Sequence, residues 1–269
     1  SPTDGPMLSA RWEAIESLRL VDLPEHEPED GQVVVEVTHC GICGSDLHSY
    51  HEGFVVEPGQ VLGHEFVGTV VEAPGVAGLA VGQRVTARPL VPCGECGACL
   101  EGEIQRCEAG MSDNVGYGRR GAFAQRVLVP KAVVGEVVFP VPDEIDARAA
   151  ALIEPLAVSL HAIHQAEVEP GQTALVLGAG PIGLGVVAFL RRAGVGTLIV
   201  SDPSAKRREA AAALGADRVI DPRAENTVDA VAAITGVGAY GAGARADVVI
   251  DCAGVAPALL APALVPALG

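Results

Sequence analysis

The sequence predicts a layered α/β protein in two domains, and three observations predict it. The chain has 269 residues, more than the roughly 100–200 of one ordinary domain. It is 49% hydrophobic but only 3% aromatic, with 33 glycines, a balance that favours Ala- and Val-rich layers over an aromatic-rich sandwich. From Pro170 onward, short apolar runs alternate with Ala-rich helical stretches. A formal charge of −16 repels phosphate backbones and anionic lipid, so neither nucleic acid nor a membrane surface is an expected partner, and small ligands are left.

Two uncharged runs are long enough to span a bilayer. Residues 173–190 are broken by Gly178, Gly180, Pro181, Gly183 and Gly185, and residues 252–269 by Pro257, Pro262 and Pro266, so neither is expected to cross. No basic stretch followed by an apolar one precedes Met7. A cytoplasmic chain without a signal peptide is therefore expected, residues 1–6 being a leader remnant before a natural start at Met7.

The first informative element is a strand carrying alternating Val33, Val35 and Val37. It runs into His39-Cys40-Gly41-Ile42-Cys43-Gly44-Ser45-Asp46-Leu47-His48, and 21 residues after Cys43 comes His64, within Gly63-His64-Glu65-Phe66-Val67-Gly68. A thiolate and an imidazole from separate loops, with carboxylates nearby, suit a catalytic zinc that keeps one position open. Each alone has a plainer reading: a lone cysteine is a small buried hydrophobe, and a lone histidine a satisfied core or surface group. Cys40 is expected to pack.

Next come Cys93, Cys96, Cys99 and Cys107, within CGECGACLEGEIQRC. Spacings of two, two and seven residues let four thiolates converge on a tetrahedral zinc, and four ligands with no open position make that site structural. The alternative is a pair of disulfides, but cysteines this close form strained loops.

The second half reads as strand Thr173–Leu177, turn Gly178-Ala179-Gly180-Pro181-Ile182-Gly183, helix 182–193, strand Thr197–Ser201 ending at Asp202, helix 204–214, and strands Arg218–Ile220 and Val248–Asp251. A Gly-x-Gly-x-x-Gly turn between strand and helix, with an acid 24 residues past its first glycine, suits a dinucleotide. The glycines let the backbone approach the pyrophosphate at the helix N-terminus, and Asp202 accepts from the ribose hydroxyls. Asp202 repels a 2′-phosphate and favours NAD. Among Lys206, Arg207 and Arg208, with Arg207 the candidate, one group can reach a phosphate and keep NADP open.

These motifs resemble the zinc-dependent medium-chain dehydrogenases/reductases, in the branch of sorbitol, butanediol and threonine dehydrogenases. The resemblance runs from Met7 to the end through CGICGSDLH, GHEFVG, the four-cysteine lobe, EPLAVSLHA at 154–162, GAGPIG and Asp202. It implies a GroES-like β-barrel domain carrying both zincs over residues 7–150, a Rossmann domain over 151–269, and an active site in the cleft between. It assigns Cys43 and His64 as catalytic zinc ligands, Glu65 as an acid that enters or leaves the coordination shell, and Glu154 as a third position, sometimes bound through water. A glutamate there makes the site harder and tilts the substrate toward a diol, polyol or amino alcohol.

The implied reaction is zinc-assisted, NAD-linked oxidation of a secondary alcohol, with Ser45 and His48 as the proton relay through the cofactor ribose. A homodimer or homotetramer is implied for the full-length enzyme. Tyr50, Phe54 and Tyr117 are candidates for the pocket wall, while His161, His164 and Cys252 are expected to have no site role. Four strands are expected in the nucleotide domain, against about six in a complete one with order 3-2-1-4-5-6. The chain is therefore expected to be cut short after its fourth strand, and the alternative function is a catalytically impaired zinc-binding fragment of such an enzyme. A zinc-free quinone or enoyl reductase is disfavoured by Cys43, His64, Glu65 and the lobe.

Overall fold

Runs of valine set the strands of the first half. In the computed structural model, which describes residues 5–236 and 246–254, β1 (Met7–Ala14) and β2 (Ser17–Leu23) form an antiparallel pair. β3 (Val33–Gly41), β4 (Glu65–Glu72), β5 (Arg84–Ala87), β6 (Arg126–Val129) and β7 (Val138–Pro140) form an antiparallel sheet in the order β6-β3-β4-β5-β7. Val33, Val35, Phe66, Val70, Val85 and Val127 are buried in one cluster. Each such side chain contributes about 1.5–3 kcal/mol on leaving water.

β3 departs from simple alternation. Val34 is buried as well as Val33 and Val35, and the β3–β4 register shifts once between Val34 and Val35 and again between Val37 and His39. Thr38 is the extra residue at the second shift, and its hydroxyl donates to the Val67 carbonyl at 3.0 Å. Such bulges re-aim the residues that follow them. Here those residues are His39, Cys40 and Gly41, which lead directly into α1 (Gly44–Glu52).

The chain continues through the short α2 (Gly97–Leu100), a 3-10 turn at Ile104–Arg106, α3 (Ala147–Ala150) and α4 (Ile153–Gln165). It divides into two compact units, Ser1–Glu154 and Pro155–Gly269, a border four residues past the 150/151 boundary expected from the sequence.

In the second unit β8 (Thr173–Leu177), β9 (Thr197–Ser201), β10 (Arg218–Ile220) and β11 (Val248–Asp251) make a parallel sheet in the order β10-β9-β8-β11. Numbered from β8, this is 3-2-1-4, the first four places of the doubly wound order. The interleaved helices are α5 (Pro181–Ala193), α6 (Ala205–Ala213) and α7 (Thr227–Thr235). The strands are apolar on both faces because both are covered. Ala174, Val176, Leu198 and Val200 pack with Val186, Val187 and Leu190 of α5, while Leu175, Leu177, Ile199 and Ile220 pack with Val231 of α7.

The expected helices begin slightly differently. Pro181 is the first residue of α5, where its missing N–H costs nothing, and Ser204 stands just outside α6 as its N-cap residue. The run 173–190 is β8, the glycine turn and most of α5. The expected Pro-interrupted segment beyond Gly254, and the missing fifth strand, lie outside the described residues. No helix among the described residues is long and apolar enough to cross a membrane.

Candidate metal and dinucleotide sites

The mixed donor cluster is assembled by two strand ends. Cys43 is the N-cap residue of α1, and its backbone N–H donates to Asp46 Oδ2 at 2.9 Å. Gly41 at the end of β3 pairs with Glu65 at the start of β4, so the chain just before β4 is held beside the chain just after β3. The Cys43 sulfur, a His64 ring nitrogen and a Glu65 carboxylate oxygen all lie within 4.8 Å of one another. His64 and Glu65 are each only 7% exposed.

Burial is what charges this cluster with chemical potential. It is the largest cause pushing the Cys43 thiol up, and it also pushes the Glu65 carboxyl up, against the pull of His64 and Cys43. A divalent cation reverses that penalty by stabilising thiolate and carboxylate together. The soft sulfur, borderline imidazole and hard carboxylate are a donor set suited to zinc. His64 Nδ1 is buried without a hydrogen bond, 3.7 Å from Asp46 Oδ1, too long to be one. That carboxylate also accepts the Gly63 N–H at 3.2 Å, so Asp46 braces both segments that supply the donors. A carboxylate behind a ligating imidazole orients the ring and raises its basicity. Asp46 carried no separate signal in the sequence beyond its position three residues after an N-cap.

Glu154 is not among the donors that converge within 4.8 Å. Its carboxyl is pushed up, first by burial and then by the charges of Glu65 and Asp46, with His64 opposing, so it feels the cluster electrostatically. Ser45 is half-buried and its hydroxyl favours the Cys43 thiolate. His48 is exposed, its side chain 63% accessible, with Nδ1 3.1 Å from Glu52 Oε1. Tyr117 lies ring to ring with His64 at 5.7 Å, and its hydroxyl is buried without a partner in hydrogen-bonding geometry; burial pushes that phenol up, with the nearby Ser45 and Ser49 hydroxyls opposing. Phe54 is 60% exposed, and Tyr50 donates its hydroxyl to the Glu16 carbonyl, so of the three aromatic candidates Tyr117 is the one at the cluster. Cys40 is outside the cluster, its thiol pushed up to about 12 mainly by burial.

The second cluster is all sulfur. Cys93, Cys96, Cys99 and Cys107 bring their sulfurs within 4.8 Å of one another, with Cys93 and Cys99 3.9 Å apart. A tetrahedral site with Zn–S bonds of about 2.3 Å separates its sulfurs by about 3.8 Å, whereas a disulfide needs about 2 Å. All seven cysteines are free thiols. Backbone amides point at the sulfurs: Cys93 N–H donates to Cys107 Sγ and Cys96 N–H to Cys93 Sγ, each at 3.3 Å. Such donors hold the Cys96 thiol down to about 6, the Cys99 amide foremost, and lower Cys107 through the Cys93 amide. Cys99 goes to about 12: the Gly94 amide favours its thiolate, but burial and the neighbouring sulfurs keep its proton on. The lobe thus meets the charge requirement of a bound cation only in part by itself, and no residue between 93 and 107 is buried.

The dinucleotide turn is built as its glycines require. Gly178 has φ +89°, and a Cβ on Gly183 would overlap the Gly178 carbonyl, so strand and helix meet there only without side chains. Gly180 differs: a Cβ on it would meet nothing within 4 Å, leaving open space beside the first turn of α5 where a pyrophosphate fits. Pro181 and Ile182 open that helix. Asp202 is 2% exposed, with Oδ2 accepting the Ala179 N–H at 2.8 Å and Oδ1 the Ser204 N–H at 2.7 Å. The acid therefore ties the end of β9 to the glycine turn. Arg207 Nη1 lies 3.8 Å from Asp202 Oδ2, while Arg208 is engaged with the Asp202 carbonyl and with Asp221. His161 and His164 are exposed, and Cys252 is half-buried against the apolar cluster of β8 and α5.

Residues 29–143 match the family model of the alcohol dehydrogenase GroES-like domain, and residues 181–264 that of zinc-binding dehydrogenases. Sorbitol dehydrogenase of Bacillus subtilis (strain 168) is 36% identical over 81% of this chain and 62% of its own length. D-xylulose reductase A of Aspergillus oryzae is 33% identical over 96% of this chain and 72% of its own. A chain from Sinorhizobium meliloti 1021, crystallised bound to NADP, matches with a TM-score of 0.85 at 36% identity, over 95% of this chain and 72% of that one. Against three of the curated relatives the chain spans 58 to 62% of their length. With a β domain holding two donor clusters and a parallel-sheet domain holding a glycine turn, the chain belongs to the zinc-dependent medium-chain alcohol and polyol dehydrogenases.

Proposed function

We propose that the protein oxidises a secondary alcohol, diol or polyol to the ketone, with zinc at Cys43, His64 and Glu65 and NAD as hydride acceptor. The observation that carries this reading is the convergence of those three donors within 4.8 Å, backed by the buried Asp46. The names of the two relatives, a sorbitol dehydrogenase and a xylulose reductase, support a polyhydroxy substrate. The four-cysteine lobe is read as a second, structural zinc site.

When bound, zinc supplies Lewis acidity toward an alcohol oxygen and the nicotinamide supplies the hydride acceptor. The protein's part is positioning and proton handling. Cys43 and His64 would hold the metal, Asp46 braces the two segments that carry them through the Cys43 and Gly63 amides, and Glu65 and Glu154 add negative charge whose distance from the donors decides how open the site stays. Ser45, beside the Cys43 sulfur, takes the alcohol proton; His48, three residues on and open to solvent, releases it. A bound cofactor would supply ribose hydroxyls able to carry a proton between two such groups. Asp202 retains acceptor capacity for ribose hydroxyls beyond its two backbone donors, since a carboxylate has about four acceptor sites. Its charge favours NAD, and Arg207 is the group that would offset that charge for a 2′-phosphate.

The test is NAD reduction, followed by NADH absorbance, across 2,3-butanediol, sorbitol, threonine, cyclitols and simple secondary alcohols, with and without added zinc. Turnover of at least one, faster with NAD than NADP, is expected. Silence on every alcohol both before and after zinc sinks the polyol reading, and NADH fluorescence that stays unenhanced at saturation would leave the zinc-binding fragment in its place.

A further inference from the structure

Gly41 closes β3 and pairs with Glu65 across the sheet. It is not one of the glycines with positive φ, so its backbone conformation is open to any residue and does not itself call for glycine. What singles it out is space. A Cβ built on Gly41 would overlap Glu65 Oε2 and stand 3.1 Å from Glu65 Cβ and 3.3 Å from Cδ, so the three nearest atoms all belong to that one side chain. We propose that Gly41 is a positioning residue, its absent side chain being the space in which the Glu65 carboxylate turns toward Cys43 and His64.

The argument separates metal binding from folding. The severe overlap is with the far end of a side chain with three rotatable bonds, which turns away, while the 3.1 Å approach to the backbone-fixed Glu65 Cβ asks β3 and β4 to give by only a few tenths of an ångström, so a methyl group at position 41 displaces the carboxylate while the strands stay paired. Glu65 then leaves the donor group although every donor residue is still present. The inference rests on the reading that Cys43, His64 and Glu65 hold a metal, and the experiment distinguishes failure of the two.

Zinc affinity at both clusters is measured by competition with a chromophoric chelator, on the 269-residue chain, for wild type, Gly41→Ala, Glu65→Ala and the double variant. The wild type is expected to bind at both clusters. Gly41→Ala is expected to lose about 10–100-fold in affinity at the mixed cluster, the range for displacing a group that supports a metal site, with the lobe and the thermal midpoint unchanged. In the Glu65→Ala background, adding Gly41→Ala is expected to change affinity by less than about twofold, the coupling of a pair that acts as one unit. Wild-type affinity in Gly41→Ala, or a second independent loss in the double variant, overturns the inference while the metal reading stands. Loss of folded structure that Glu65→Ala does not relieve shows that the glycine serves the sheet, and overturns it too. A wild type with zinc only in the lobe brings down the metal reading and the inference with it.

Discussion

The two donor clusters of the first domain bring their candidate metal ligands together by opposite means. The lobe takes four sulfurs from residues 93–107, with the one-turn α2, a 3-10 turn and backbone amides as its framework and no buried residue between its first and last cysteines. The mixed cluster takes a sulfur, an imidazole and a carboxylate from segments 21 residues apart, held by the β3–β4 pairing and by Asp46, with His64 and Glu65 almost fully buried. A cluster without a core needs its metal to exist, whereas one built on a sheet exists before the metal arrives. The first should behave as a folding unit and the second as a preformed site with an adjustable donor.

The sharpest way to break this contrast is to remove metal from the lobe. Cys99→Ser, or chelation, is expected to release residues 93–107 to solvent-rate amide exchange while β3 and β4 remain protected, because a structural zinc contributes on the order of 10 kcal/mol to the segment it organises. Lobe amides that stay protected without zinc would show that the turns suffice. Next in size, Asp46→Asn should weaken zinc at the mixed cluster by about 10–100-fold and leave the lobe untouched. Equal weakening at both would mean that the clusters are not independent.

A third substitution lies in the other domain. Asp202→Ala removes two hydrogen bonds to a charged acceptor, each about 1.5–3 kcal/mol, so NADH affinity and Ala179 amide protection should fall together while both metal affinities hold. Loss of NADH binding with an unchanged Ala179 amide would leave Asp202 as a ribose contact alone.

The smallest effect is a pH dependence beside the lobe. Lys131 and Arg119 hydrogen-bond Asp113 and hold its carboxyl below the usual range, Lys131 foremost. A lowered folded-state pKa gives stability that is present above the unfolded value of about 3.9 and is lost as pH falls through the folded one. For pairs with exposed cations this is under about 1 kcal/mol. The thermal midpoint of Asp113→Asn should therefore converge with that of the wild type as pH falls below the ordinary carboxylate range, and a constant gap across acid pH would assign the difference to packing.

Much of the second domain was legible because its signals are local. Four strands, the GAGPIG turn and Asp202 are consecutive text, and an apolar run between glycine turns has few other conformations available. The four-cysteine lobe was legible for the same reason. β3 was legible only in part: its alternation marked a strand, but the burial of Val34, the two register shifts and the pairing of Gly41 with Glu65 belong to its packing and its pairing with β4, which no window of the chain records. Tyr50, Phe54 and Tyr117 were equivalent as aromatics, and packing alone placed Tyr117 beside His64.

By itself the sequence determined which atoms are available: seven thiols, a glycine turn, an acid at a strand end, and a formal charge of −16. Tertiary structure decided which of those atoms meet. Ligand type and spacing constrain chemistry through short-range covalent geometry, whereas the Asp46 brace, the withdrawn position of Glu154 and the space at Gly41 depend on strand register, which is set by burial of side chains far apart in the chain.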